Sequence, residues 1–394
     1  MEIDQKTRLK IKELLTRGVD EVIDYKELET KLLSGKKLRI KLGIDPTSPN
    51  IHLGRSIPLL KLRDFEALGH QIVFIIGDFT GTIGDTSDKN AERPMLDESV
   101  VKENIKRYIE QAGKVINIEK CEVYYNSEWL AKLEYREICR QADVFSINEF
   151  ISRDNIRRRL DGGLRVSLRE VLYPMMQGYD SVMIKADVEI GGTDQRFNLL
   201  AGRELQRAYK QEPQNIITNP LIEGLDGRKM SSSWGNTVNL LDTPSEMFGK
   251  IMSLQDESII KYFTLLTRMA EDKIKEYELA LKNGANPRDY KILLAKEIVT
   301  FYHSEKDALE QEENFIKVFS KKEMPDEIEE LKPESYNIVA ILIEAGLATS
   351  KTDAKRVIEQ GGVKVDKEVI KDADVIIKAG SIIQKGKIKF LKIV

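Results

Sequence analysis

Hydrophobic and charged residues alternate over Leu38-Arg39-Ile40-Lys41-Leu42, the period of a β-strand, and the run leads into Gly43. Asp45, Pro46, Thr47, Ser48, Pro49 and Asn50 follow as turn formers, and proline cannot extend a ladder. From His52 the rhythm changes. Leu53, Ile57 and Leu60 fall at helical spacing, and Gly69 stops a helix predicted over 52–68. The unit is strand, tight turn, helix. Such a helix start offers unpaired backbone N–H groups and a positive dipole end, which suits a phosphate. His52 and Arg55, one turn apart, add donors at that same end.

The same rhythms order the rest of the chain. Residues 1–35 read as two helices ending at Ser34-Gly35. Ile72 to Gly77 is a continuous apolar run, as expected of a strand buried on both faces. A helix over about 97–116 precedes a strand at 121–127, and Val182–Ile190 and Ile216–Ile222 supply two more. Strands alternating with helices predict an α/β, Rossmann-like, doubly wound parallel sheet over residues 1–223, with ligands at the strand C-terminal ends. Residues 128–180 interrupt it with a mostly helical insertion. That insertion carries Arg153, Arg157, Arg158, Arg159, Arg165 and Arg169, which fit either a solvated helix face paired with acids or contact with an RNA end.

Residues 224–325 read as a loop followed by a Lys- and Glu-rich helical domain, with Pro244 as an opening signal and Asn283-Gly284 as a break. An acidic linker is placed at 326–335. A small α+β domain fills 336–394, where Ser350 and Asp353 form a plausible capping box before a helix and short β segments follow.

Composition narrows the partners. The chain has 394 residues, 41% hydrophobic and 32% charged, with net charge −3. That balance excludes bulk cationic attraction to nucleic acid, so RNA contact needs local basic patches. Residues 336–394 hold eleven Lys or Arg against seven Asp or Glu, a surplus of four in a chain negative overall. Cys121 and Cys139 are too few for a disulfide framework, and no Cys/His cluster has zinc spacing. The charged amphipathic N-terminus is not a signal peptide and no apolar run reaches spanning length, so a reduced, cytoplasmic setting is expected, without a membrane partner.

A second candidate clamp is Gly227-Arg228-Lys229-Met230-Ser231-Ser232-Ser233, a lysine among serines and glycines just after a predicted strand. With His52-Leu53-Gly54-Arg55 it resembles the two signatures of class I aminoacyl-tRNA synthetases, which in most members read His-Ile-Gly-His and Lys-Met-Ser-Lys-Ser. Other motifs resemble the tyrosyl family, over nearly the whole chain. Tyr173, Gln177 and Asp180 match its Tyr-x-x-x-Gln-x-x-Asp helix, whose Tyr and Gln grip the substrate amino group and whose Asp accepts from the phenol. Spacings of four and three put all three on one helix face.

The resemblance implies further roles. Gly43 and Asp45 fall in the turn against substrate and ATP, with Gly54 and Met230 in the two signatures. Gly192 and Asp194 match the loop that approaches the adenylate and takes the ribose, and Gln195 reaches the amino acid. Asp85 matches a second amino-group ligand, while Lys89 and Arg93 match cations on the pyrophosphate side. The succession from Gly346 to Ser381 resembles an S4-type RNA-binding domain, with Lys351, Lys355, Arg356 and Lys364 as its RNA contacts. The resemblance implies a reaction that attaches L-tyrosine to tRNA(Tyr) using ATP, with Mg2+ accompanying the nucleotide and no protein metal site, and it implies a homodimer.

The chemistry suits the residues. A carboxylate attacks the α-phosphate in line and pyrophosphate leaves, so the protein has to position reactants and stabilise charge rather than supply an acid–base pair. Thr47, His52, Arg55, Lys229 and Ser232 offer the donors and cations for this. Three departures stand out. Arg55 replaces the usual second His, Ser232 replaces the second Lys of the mobile loop, and Lys41 occupies a position often held by Tyr, the second partner of the substrate hydroxyl. Two other readings compete: a tryptophanyl relative, and a catalytically retired paralogue that only binds RNA.

Overall fold

The structure is a computed structural model that describes residues 4–85, 95–320, 328–386 and 389–394. Contacts divide the chain into two compact units, residues 1–302 and 303–394.

The first unit is built on a six-stranded sheet: β1 (Glu21–Ile23), β2 (Arg39–Ile44), β3 (Gln71–Ile76), β4 (Glu122–Tyr125), β5 (Val188–Gly192) and β6 (Asn215–Asn219). Spatial order is β1-β6-β5-β2-β3-β4. Five strands run parallel, and β1 joins the edge antiparallel to β6. The two helices expected over 1–35 are present as Gln5–Thr16 and Tyr25–Leu33, and the three-residue β1 between them is the addition; a strand that short leaves no periodic trace. The chain proceeds outward from β2 through β3 and β4, then returns to start β5 on the other side of β2. That reversal makes a crevice outside the C-terminal ends of β2 and β5, where α/β sheets hold ligands.

Helix Leu53–Ala67 follows β2 and buries Leu53, Ile57, Leu59, Leu60 and Phe65, as its periodicity required. Helix Leu168–Ile184 precedes β5 and is opened by a capping box of Ser167 with Glu170. It continues through Val182-Met183-Ile184, read above as strand, and ends at Lys185 in the left-handed region with φ of 51°. An apolar run that short looks alike in a buried helix and a buried strand. Helices Pro244–Met252, Ile259–Leu266, Glu271–Lys282 and Pro287–Tyr302 complete the unit. Tyr302 donates its hydroxyl to Ser56 Oγ at 2.9 Å, and Arg268 pairs with Asp64, tying this helical layer to helix Leu53–Ala67.

The second unit contains helix Glu305–Ser320, so contacts divide the helices read together over 224–325. Part of the segment read as a linker, Glu329–Leu331, is a strand (β7); its residues 326 and 327 lie outside the described residues. With β8 (Val363–Val365), β9 (Glu368–Ile370), β10 (Ile382–Lys385) and β11 (Lys389–Ile393) it forms a sheet in the order β7-β11-β10-β8-β9. Helices Ile338–Glu344 and Lys351–Glu359 share its core of Ile338, Ile341, Leu342, Ala354, Ile358, Val363, Ile383 and Leu391. Ser350 accepts from Asp353 N as a cap, while Asp353 turns to Thr349 N instead of closing the box. Among the described residues no helix is long and apolar enough to cross a membrane.

Candidate active site

A cavity of about 660 Å³ lies at the crevice predicted by the strand order. Its walls include Leu42, Gly43 and Ile44 from β2, Ile190, Gly191 and Gly192 from β5, and both candidate clamps. His52, Gly54, Arg55, Lys229, Met230 and Ser232 all face this one cavity, although the clamps are far apart in sequence.

Direct contacts join the two loops. Met230 is buried, and its Sδ receives the Gly54 N–H at 3.3 Å. Leu53 N donates to Val238 O and Leu240 N to Ile51 O, so the segment after the Lys229 loop pairs with the turn before His52. Inside that loop, Asn236 accepts from Ser231 N and donates to Asp226 Oδ1 and Lys229 O. Gly227, at φ of 80°, makes the left-handed turn a side chain would strain. Lys229 Nζ pairs with Asp194 Oδ2 at 2.8 Å.

His52 caps helix Leu53–Ala67 by accepting the Arg55 N–H at Nδ1. The ring proton of neutral His52 therefore belongs on Nε2. Burial, with Arg55 and Lys229 nearby, drives its pKa down to about 3, so at neutral pH His52 is an uncharged donor. Arg55 donates to the Tyr108 hydroxyl and, at 3.5 Å, to Thr47 Oγ1.

Helix Leu168–Ile184 turns Tyr173, Gln177 and Asp180 toward the same cavity. Asp180 accepts from Trp129 Nε1 at 2.8 Å and from Asn126 Nδ2 at 3.3 Å. Burial raises its pKa to about 7 against the opposing pull of Lys41. Tyr173 donates to Asp45 Oδ2 at 2.8 Å; burial and the charges of Asp45 and Asp85 hold its phenol well above its ordinary pKa, so it stays protonated. Asp45 also accepts from Thr80 Oγ1 at 2.7 Å. Gln177 donates to Glu189 Oε1 and accepts from Asn198, which also donates to Gln195. Gln195 in turn donates to Asp85 at 2.7 Å. A Cβ on Gly192 would lie 2.5 Å from Asp194 Oδ1, so a side chain there would have to push the Asp194 carboxylate aside.

Lys41 is not on that wall. Its side chain is 0% exposed and its ammonium is spent on Glu189 Oε1 at 2.8 Å, Gln177 O at 2.8 Å and Ser181 Oγ at 2.7 Å. The cause is the neighbouring strand: Lys41 stands opposite Glu189 in the β2–β5 register, behind the helix that carries Gln177. Lys89 and Arg93 lie outside the described residues. In the second unit Lys351, Lys355 and Arg356 are exposed on helix Lys351–Glu359, Arg356 pairs with Asp353, and Lys364 is half-buried in β8.

Sequence reasoning missed Trp129, Asn126, Glu189 and Tyr108. A usable signal existed for two of them. An indole N–H and a carboxylate that are both headed for the interior each need a partner, and a glutamate inside the apolar run Val188–Ile190 needs a cation. Of the basic knot, Arg159 is an internal strut, bidentate to buried Glu170, whereas Arg157 and Arg158 are exposed.

Comparison with known proteins agrees with this geometry. The family model for tRNA synthetases class I (W and Y) matches residues 33–320, and the S4 domain model matches 338–383. The tyrosine–tRNA ligase of Thermotoga maritima is 46% identical over 385 residues, covering 96% of each chain. That of Carboxydothermus hydrogenoformans is 45% identical, covering 97% of each. Among solved structures, a truncated mitochondrial tyrosyl-tRNA synthetase of Aspergillus nidulans aligns with TM-score 0.66 at 21% identity, over 79% of this chain and 94% of that one, a likeness of fold. A family model spanning well over half the chain, relatives of this identity and a shared cavity for both signatures have one reading: the chain belongs to the class I tRNA synthetases of the tryptophan and tyrosine group.

Proposed function

We infer that this protein is a tyrosine–tRNA ligase, which joins L-tyrosine to ATP as tyrosyl-adenylate with release of pyrophosphate and then passes the tyrosyl group to tRNA(Tyr) with release of AMP. The observation that carries the reading is a buried carboxylate, Asp180, in the same cavity as His52, Arg55 and Lys229. Relatives at 44–46% identity over nearly the whole chain bear the tyrosine–tRNA ligase name, which favours this over the tryptophanyl and non-catalytic readings.

In this scheme the phenol donates to Asp180, while Tyr173, Gln177, Asp85 and Gln195 surround the amino group. The substrate carboxylate then attacks the α-phosphate. His52, Arg55, Thr47, Lys229 and Ser232 stabilise the charge that moves onto the pyrophosphate oxygens. Nucleotide binding exchanges the Lys229–Asp194 pair for Lys229 on phosphate and Asp194 on ribose. Mg2+ would accompany the triphosphate and would add to the charge stabilisation that His52, Arg55 and Lys229 offer. Gly43, Gly54, Gly192 and Met230 shape the ATP side. The exposed Lys351, Lys355 and Arg356 give the second unit a face for tRNA phosphates, with Lys364 beside them. Exposed Tyr135, Ile147, Leu164 and Leu168 in the insertion supply apolar surface for a homodimer. The free thiols of Cys121 and Cys139 suit a reducing cytoplasm.

The test is exchange of labelled pyrophosphate into ATP with tyrosine, tryptophan or phenylalanine, followed by charging of tRNA(Tyr). Exchange with tyrosine alone is the expected result. Exchange driven by tryptophan, or none at all, overturns the reading.

The Asp180 pKa also sets a pH dependence. Below about 7 the carboxyl is protonated, and leaving it beside phenylalanine costs little; above about 7 it is charged, and leaving it without a phenol donor costs more. The tyrosine-over-phenylalanine ratio of kcat/KM is therefore expected to rise as pH increases through about 7. Taking the ratio cancels titrations common to both substrates. A ratio that stays flat from pH 5.5 to 8.5 (a range of about 1.5 units on either side) contradicts the assignment.

A further inference from the structure

Three buried polar side chains on one helix converge on the turn between β2 and His52, and none belongs to either signature. Asn104, Tyr108 and Gln111 on helix Glu98–Gly113 are 7%, 0% and 0% exposed. Spacings of four and three place them on one face. Asn104 Nδ2 donates to Pro46 O at 2.9 Å, and Gln111 Nε2 donates to Pro49 O at 3.1 Å. Gln111 Oε1 accepts from Ile51 N at 2.8 Å. A turn with two prolines cannot satisfy these groups within a ladder, so the amides of the helix do it from outside.

Tyr108 makes a different contact. Its hydroxyl receives Arg55 Nη1 and lies 3.1 Å from Ser48 Oγ, and the guanidinium carbon is 6.0 Å from its ring centroid. The other Arg55 side-chain bond given by the geometry, to Thr47, is long at 3.5 Å. Arginine has a flexible stem, and an unanchored guanidinium spreads over several rotamers instead of meeting a phosphate in one pose.

We propose that Tyr108 is the positioning residue for Arg55: its hydroxyl, aligned by Ser48, holds the guanidinium where the family's signature usually has a histidine. This rests on the reading of Arg55 as a phosphate donor, and the two fail differently. Full activity of Arg55→Ala removes the donor role and with it the anchor. Loss of activity in Arg55→Ala with no loss in Tyr108→Phe removes the anchor alone.

The decisive measurement is a double-mutant cycle on tyrosine-dependent pyrophosphate exchange. With Arg55 present, Tyr108→Phe is expected to lower kcat about tenfold with the tyrosine KM unchanged. In the Arg55→His background, where there is no guanidinium to hold, the same change is expected to lower kcat less than about twofold. Equal losses in both backgrounds would mean that Tyr108 only supports the fold, and the proposal fails. Should the double variant not fold, Ser48→Ala takes its place, removing the hydroxyl that aligns Tyr108 and also donates to Asn50 O. A loss of about threefold is expected with Arg55 and none with Arg55→His, and equal losses again overturn the proposal.

Discussion

Asp180→Asn is expected to lower kcat/KM for tyrosine by about a hundredfold or more while leaving the KM for ATP within about threefold. The carboxylate accepts two internal donors, Trp129 Nε1 and Asn126 Nδ2, and still has lone pairs for a phenol. An amide in its place keeps one acceptor oxygen. If that oxygen serves Trp129, the new NH2 faces the donating Asn126 amide, and the incoming phenol can meet it only as an acceptor. The variant therefore loses a charge-assisted hydrogen bond to substrate, worth roughly 1.5–3 kcal/mol, and buries a mismatched donor pair at roughly 1–3 kcal/mol more. Phenylalanine makes no such bond, so its use changes less and the preference for tyrosine falls. Steady-state exchange with each substrate varied in turn measures this. Unchanged kcat and KM for tyrosine would take Asp180 out of the site.

What the sequence made legible here was local. The strand at 38–42, the proline turn and the helix after His52 follow from residues within twenty positions of one another, and all stand as read. Tyr173, Gln177 and Asp180 were legible as a set through their resemblance to the tyrosyl family's helix motif, and their spacing, which is local, put them on one face. The partners of those residues come from other strands, helices and turns and could not be counted along the chain. Trp129 reaches Asp180 from a short helix after β4, 51 residues earlier in sequence. Tyr108 reaches Arg55 across 53 residues.

Lys41 came to the substrate hydroxyl only through its match to a position the tyrosyl family often fills with Tyr. Its alternation with Ile40 and Leu42 gives the strand one polar face. In a parallel sheet covered on both sides that polar face is interior as well. Only the β2–β5 register, which sequence does not give, sets Glu189 opposite Lys41 and closes the ion pair. The helix misread at 182–184 shows the converse error: burial on all sides erases the polar positions by which helix and strand are told apart.

The ion pair behind the site carries the largest expected stability effect. Lys41→Met is expected to lower the melting temperature by roughly 10 °C, and Lys41→Met/Glu189→Gln to recover more than half of that. The two side chains are 0% and 1% exposed, so the single variant strands a carboxylate in the interior, which typically costs roughly 3–5 kcal/mol. Ser181 and Gln214 still donate to Glu189, but neutral donors do not replace a cation. The double variant removes the charge on both sides and leaves a neutral amide within reach of the same neighbours.

The pair also acts on Asp180, whose pKa Lys41 lowers and Glu189 raises. The pH at which the tyrosine preference sets in should therefore move upward in Lys41→Met and return toward about 7 in the double variant. Differential scanning calorimetry gives the first comparison and the pH series of kcat/KM ratios the second. If Lys41→Met melts with the unmodified protein and shows the same pH midpoint, the buried pair supports neither the fold nor the charge that selects the phenol.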